Sequence, residues 1–177
     1  RSTLFPYTTL FRSANDTAIA LGRKVAGSDK KFVAMMNKRA RELGATNTNF
    51  QNPNGLHLKN HYTTAYDLYL IFQELVKHNE FLSIAGKASS YIEYTNQKNK
   101  LQAFDMAATN QYLLGNYNLP HKVFMLGGKT GTTGEAGSCL IILTKNEEGE
   151  EFISVILKAS SKQTLYHTMT EVLKKEN

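Results

Sequence analysis

The stretch Gly127-Gly128-Lys129-Thr130-Gly131-Thr132-Thr133-Gly134 sets one ammonium and three hydroxyls among four glycines. Bare backbone lets a ligand approach a strand closely. Lys129 would raise the positive potential there, and Thr130 and Thr132 would offer hydroxyls to a carboxylate. Backbone N–H groups near Thr132 would supply part of an oxyanion hole. An apolar run, Cys139-Leu140-Ile141-Ile142-Leu143, comes next and reads as a buried strand. The glycine-rich stretch is therefore predicted to be an edge strand beside a site, with Gly127, Gly128 and Gly131 keeping it flat enough for a peptide to lie on. The competing reading is a glycine-rich strand entry with a surface lysine, and Lys-Thr-Gly alone does not decide between them. Far upstream, Ser13-Ala14-Asn15 forms an S-x-N triplet. By itself it is no more than a helix N-cap.

Other chemistries fit less well. Gly127-Gly128-Lys129-Thr130 resembles the end of a phosphate-binding loop, but the first glycine of that pattern is missing and the next element is a strand, not a helix. Ser28-Asp29-Lys30-Lys31 matches S-x-x-K, a spacing that brings a hydroxyl and an amine together on a helix. It sits at a helix start, where Ser28 reads as an ordinary cap. Of the five histidines only His57 and His61 are four apart, and these flank an irregular segment without a carboxylate partner, so zinc is not expected. No metal or cofactor is expected. Cys139, the single cysteine, excludes an internal disulfide and is expected to be a small buried hydrophobe.

These residues need elements to hold them. Asn15 to Ala26 is predicted to be a helix stopped by Gly27, and Ser28 caps a second that runs to Gly44. Asn52-Pro53-Asn54-Gly55 is dense in turn chemistry within an irregular stretch over 45–62. Thr64 caps a helix reaching about His78, and a short helix covers Glu80 to Ala85. Ser90 to Thr95 alternates like a strand and leads into a polar turn over 96–99. Asn110 to Leu114 forms a helical turn. Phe124 to Thr130, Ser138 to Thr144 and Phe152 to Ala159 read as three antiparallel strands, closed by a helix from Ser161 to Lys175. The fold class is thus α/β of the α+β type: an antiparallel sheet flanked by helices. Three strands leave an edge in need of a partner, which strands preceding this sequence would supply.

Composition permits one domain with a real core: 177 residues, 41% hydrophobic and 20% charged. The formal net charge of +6 is scattered over predicted helix faces, without the dense stripe and interleaved aromatics of a nucleic-acid reader. No run is long and apolar enough for a membrane span. Residues 1–13 carry neither helical nor strand period. Thr3 to Ser13 resembles the translated sequence of a common sequencing adapter, so 1–13 is expected to be a non-native leader.

Taken together and in order, a set of motifs resembles the serine D-alanyl-D-alanine carboxypeptidases, the low-molecular-mass penicillin-binding proteins. The set is Ser13-Ala14-Asn15-Asp16, Leu43 to Phe50, Asn52-Pro53-Asn54-Gly55-Leu56, His61 to Leu68, Thr109-Asn110 to Leu114, and Gly128-Lys129-Thr130-Gly131. The resemblance implies a penicillin-binding-protein/β-lactamase-like fold, incomplete at the N-terminus, with residues 14–177 as the C-terminal part of a transpeptidase-like carboxypeptidase domain. It implies a peptidoglycan stem peptide ending in D-Ala-D-Ala as substrate and an acyl-enzyme mechanism. β-Lactam antibiotics would inhibit the complete enzyme, which would be exported to the periplasm or extracytoplasmic membrane face. Any membrane anchor would lie outside this chain. Ser13 would relay a proton to the leaving amine, with Lys129 biasing its hydroxyl. Asn15 would hold a substrate amide. Thr130, Gly131 and Thr132 would bind substrate: the two hydroxyls its terminal carboxylate, and the Thr132 N–H the oxyanion. The family's S-x-x-K precedes its S-x-N, whereas the match at Ser28 comes after it, so nucleophile and base are expected to be missing and this chain inactive. A β-lactamase is a weaker reading because no E-x-x-L-N pattern occurs. A D,D-endopeptidase of the same fold and a noncatalytic cell-wall-binding module remain the alternatives.

Overall fold

A computed structural model of the chain describes residues 15–95 and 99–176. The leader 1–13, Ser13 included, and most of the turn expected over 96–99 lie outside the described residues. Helix α1 (Asn15–Ala26) and helix α2 (Asp29–Glu42) are separated by Gly27 at φ +81°, a conformation that favours glycine. Ser28 Oγ accepts the Lys31 N–H at 3.3 Å, so this serine is the cap of α2. An irregular stretch leads to α3 (Ala65–Leu75), capped by Thr64, whose hydroxyl accepts the Asp67 N–H at 3.1 Å. Helix α3 stops three residues earlier than the sequence suggests, because His78 turns extended and opens α4 (Asn79–Ala85).

Strands β1 (Ser89–Thr95) and β2 (Leu101–Ala107) pair antiparallel as a separate two-stranded ribbon. The sequence reading has no counterpart to β2. Six of its seven residues are exposed, so no buried face imposes an alternating pattern. Strands β3 (Phe124–Thr133), β4 (Gly137–Lys145) and β5 (Glu151–Ala159) form the main antiparallel sheet in that order, and β3 continues three residues past the expected end at Thr130. Helix α5 (Lys162–Leu173) and a final 3-10 turn, Lys174–Glu176, complete the chain.

The sheet is covered on both faces. On one, Leu140 and Ile142 pack with Leu165, Tyr166, Met169 and Leu173 of α5. On the other, Leu143 packs with Phe72 of α3 and with Phe81 and Ala85 of α4, beside Ile141 and Ile153. Antiparallel register assigns the site residues to faces. Lys129 is paired with Ile141 and shares its side with α3 and α4, whereas Thr130 is paired with Leu140 and faces α5. The C-terminal turn is fastened by buried Glu176, whose carboxylate accepts Thr144 Oγ1 at 2.7 Å and Ser154 Oγ at 3.1 Å. Burial pushes this carboxyl up, and the two hydroxyls pull it back.

Glycine sets the approach of α1 to α2. A Cβ at Gly22 would stand 2.6 Å from Phe32 Cδ1. Since α1 buries only Ala18 and Gly22, this contact is its main attachment. Gly22→Val is expected to cost about 1–3 kcal/mol through overpacking, measured as a lower urea midpoint of the chain.

Candidate functional site

Five residues singled out by sequence meet at one place. Asn15 at the start of α1 and Lys129, Thr130, Gly131 and Thr132 of β3 all line a cleft of about 510 Å³. The structure brings the helix start and the strand margin together although more than a hundred positions separate them. Neither Ser28 nor Lys31 borders this cleft.

β3 is the end strand of its sheet. Its glycines divide the work differently from the sequence reading. A Cβ at Gly128 would lie 2.5 Å from the Ile141 carbonyl oxygen, and one at Gly127 3.3 Å from the backbone of Ala85. These two allow close packing inside the protein. Only Gly131, with nothing near a Cβ position, leaves bare backbone toward a ligand. Cys139 also departs from expectation. It is half-buried, opposite Gly131 in register, and lines the cleft; its thiol reaches the Ala136 carbonyl at 3.4 Å and receives the Lys158 N–H at 3.5 Å.

Lys129 is half-buried, and its ammonium donates to the Thr130 carbonyl. Desolvation lowers its pKa from 10.5 to about 8, so it stays mainly cationic at neutral pH while its proton is held less tightly. Thr130 Oγ1 is 2.6 Å from Thr109 Oγ1, a residue that the motif set contains but the sequence reading gives no role. The segment just after Thr109 holds it in place. Gln111 N–H donates to the Tyr166 hydroxyl at 2.9 Å, Tyr112 Oη donates to the Tyr166 carbonyl at 3.1 Å, and Tyr117 stacks on Tyr166 at 4.6 Å. Buried Asn110 Oδ1 accepts the Tyr112 N–H at 3.1 Å. Together these contacts anchor the Thr109 turn to α5.

The opposite wall is the irregular stretch from Phe50 to His61. The Asn37 amide donates to the Phe50 carbonyl at 2.8 Å and accepts the Phe50 N–H at 2.7 Å. Asn52 accepts the Gly55 N–H and donates to the Leu56 carbonyl, both at 2.8 Å. His61 Nδ1 accepts the Gln51 N–H at 3.0 Å, which requires a ring unprotonated at that nitrogen. Burial, aided by His57, lowers the His61 pKa below 6.5. Thr48 Oγ1 donates to the buried Asp67 carboxylate at 2.6 Å behind this wall. The turn chemistry was visible in sequence, but its place in the cleft depends on contacts from α2 that no local pattern encodes. Among the described residues no group of three or more His, Cys, Asp or Glu side chains is placed to hold a metal ion.

Comparison with known proteins gives a consistent result. The family model for D-alanyl-D-alanine carboxypeptidase, peptidase S11, matches residues 5–161. The chain is 33% identical over 161 residues to the D-alanyl-D-alanine carboxypeptidase DacF of Bacillus subtilis, covering 91% of this chain and 39% of the relative. It is 31% identical over 166 residues to DacC of Escherichia coli, covering 93% and 38%. The chain thus spans about two fifths of the length of these curated relatives. A mutant of the Streptomyces K15 DD-transpeptidase superposes with a TM-score of 0.87 at 22% identity, over 96% of this chain and 65% of that one, and so shares its fold.

Two pH measurements test the electrostatics. Lysine-selective NMR should find one side chain titrating near pH 8, and that signal should be absent in Lys129→Arg. For His61 the folded state binds its proton less well than the unfolded chain. Its contribution is therefore complete above about 6.5 and is lost as pH falls through the lowered folded value. Urea unfolding at pH 5 and 7.5 should show a smaller acid loss in His61→Gln than in wild type.

Proposed function

This chain belongs to the peptidase S11 family of D-alanyl-D-alanine carboxypeptidases, and on that premise we propose that it forms the substrate-holding part of a serine D-Ala-D-Ala carboxypeptidase acting on peptidoglycan stem peptides. The observation that carries this reading is the convergence of Asn15, Lys129, Thr130, Gly131 and Thr132 on one cleft at the end strand of the sheet. The peptide lies along β3 over Gly131. Asn15 holds a substrate amide, and the Thr130 and Thr132 hydroxyls take the terminal carboxylate. The Thr132 N–H binds the oxygen that becomes negative when the carbonyl is attacked.

The reaction needs a nucleophile. A serine hydroxyl attacks the carbonyl between the two alanines, an ester forms, and the peptide C–N bond breaks. D-Alanine leaves after its nitrogen gains a proton, and water hydrolyses the ester. The serine of the S-x-N triplet carries that proton, a role that falls to Ser13 only if it is native and not leader-encoded, and the Lys129 ammonium biases that hydroxyl by its positive field. The one S-x-x-K in this sequence is committed to capping α2 at Ser28. The attacking serine and its lysine therefore lie outside this chain, which does not acylate by itself. β-Lactams acylate the complete protein because their ring imitates the dipeptide end. The work site is extracytoplasmic, where peptidoglycan is. No helix among the described residues is long and apolar enough to cross a membrane.

Fluorescent penicillin provides the test. The full-length protein carrying this chain should be labelled covalently, whereas the 177-residue chain should not. Lys129→Ala in the full-length protein should slow labelling by about a hundredfold or more, the usual size of losing a preorganised charge at a reacting centre. Near-normal labelling of that variant would refute the role given to Lys129.

A further inference from the structure

The cleft wall opposite Lys129 is one loop, segment 50–61, and its neck is closed twice. Asn49 and Tyr62 exchange backbone hydrogen bonds at 2.9 and 3.1 Å as an isolated antiparallel bridge. One residue farther out on each side, Thr48 Oγ1 and Thr63 Oγ1 lie 2.8 Å apart, and Thr48 donates to the Asp67 carboxylate at 2.6 Å. A hydroxyl has a single proton. Thr48 gives its proton to Asp67, so Thr63 is the donor to Thr48, and the chain runs one way from Thr63 through Thr48 to Asp67. Asp67 is 1% exposed and Thr48 8%. Asp67 makes no ion pair among the described residues, so the Thr48 hydroxyl is the side-chain donor that satisfies it.

Thr48, Thr63 and Asp67 do not border the cleft themselves. Asp67 lies in the first turn of α3, its N–H held by the Thr64 hydroxyl, and α3 packs through Phe72 against Leu143 of the sheet. The sheet that carries Lys129 thus reaches the opposing wall by a continuous buried path. His61 stands just inside the neck and lines the cleft; its Nδ1 accepts the Gln51 N–H, and its ring meets Phe50 edge-on at 6.0 Å.

We propose that Thr48, Thr63 and Asp67 are positioning residues that clamp the neck of the 50–61 loop and so set the width of the cleft between His61 and Lys129. They act on a substrate only through that loop. Their effect on turnover rests on the substrate-holding role given above; the clamp itself does not.

The test uses the full-length protein carrying this chain. Thr48→Val keeps the shape of the side chain and leaves a buried carboxylate unpaired, whereas Thr48→Ser keeps the donor. His61 is followed by NMR titration, its signal assigned by its loss in His61→Gln. Burial and His57 hold its pKa below 6.5. Thr48→Val should let that value rise toward 6.5, and Thr48→Ser should keep it low. For an acyl-D-Ala-D-Ala peptide, Thr48→Val should lower kcat/KM about tenfold, mainly through KM, because a displaced wall weakens binding without touching the reacting groups. Thr48→Ser should restore it. Thr63→Val breaks the outer link and leaves Asp67 paired, so it should move both readings the same way by less; it also decides the matter if Thr48→Val does not fold. An unmoved His61 titration in these valine variants overturns the clamp, since a merely stabilising contact lowers an unfolding midpoint without altering a native-state pKa. A raised His61 pKa with KM unchanged overturns the effect on substrate. A wild type that takes no penicillin label while the His61 shift persists overturns only the wider reading of function.

Discussion

The geometry of this protein depends on how closely the backbone of β3 can be pressed into its surroundings. At Gly127 the strand lies against the C-terminal end of α4, where a Cβ would be tight at 3.3 Å, and at Gly128 it lies against β4 at 2.5 Å, a distance that leaves no room for a Cβ. The register breaks between Met125 and Gly127, and the strand then runs straight alongside β4 to Thr133. Because the strand is fixed at this end, alternation decides the rest: Lys129 goes to one side and Thr130 to the other. One strand thus presents a desolvated cation and a row of hydroxyls on two sides of its own margin. A bulkier residue at Gly128 would push the strand away from β4 and alter both sides at once.

Two supports hold the groups that face this strand. The Tyr112, Tyr117 and Tyr166 rings pack together, the Tyr166 hydroxyl accepts the Gln111 N–H beside the Thr109 turn and Tyr112 Oη donates back to the α5 backbone, so α5 positions a hydroxyl that it does not carry. Aromatic packing supplies the area, and the phenols supply direction. The opposite wall uses side-chain amides. Asn37 treats the Phe50 backbone as a neighbouring strand would, and Asn52 closes the turn over Gly55. The two walls are rigid for different reasons, one by burial and one by hydrogen bonds near solvent.

Much of this was legible in the residues. Capping serines and threonines, glycine stops and apolar runs located both long N-terminal helices, the three strands of the main sheet and the last helix, because each has its own face to bury. The Lys-Thr-Gly run and the early asparagine stood out by type. The misses share a cause. Strand β2 is exposed almost throughout, so its pairing is written in the backbone of β1 and not in its own side chains. The roles of Gly127 and Gly128 depend on the neighbours packed against them, which a strand's own sequence does not record. Cys139 looked like a core residue from its apolar neighbours, but it sits opposite the one glycine of β3 that leaves its flank open. Thr109 stood in the sequence motifs, but its bond to Thr130 became visible only in the fold.

The position of Cys139 has a practical consequence. It is the only sulfhydryl in the sequence, and it borders both the cleft and a second cavity of about 300 Å³ on the α5 side of β3. An environment-sensitive dye coupled there has a single point of attachment, with no cysteine to introduce and none to remove. Its emission would sense the wetting and drying of the two chambers as molecules come and go. The protein already carries its own optical address at the partition between them.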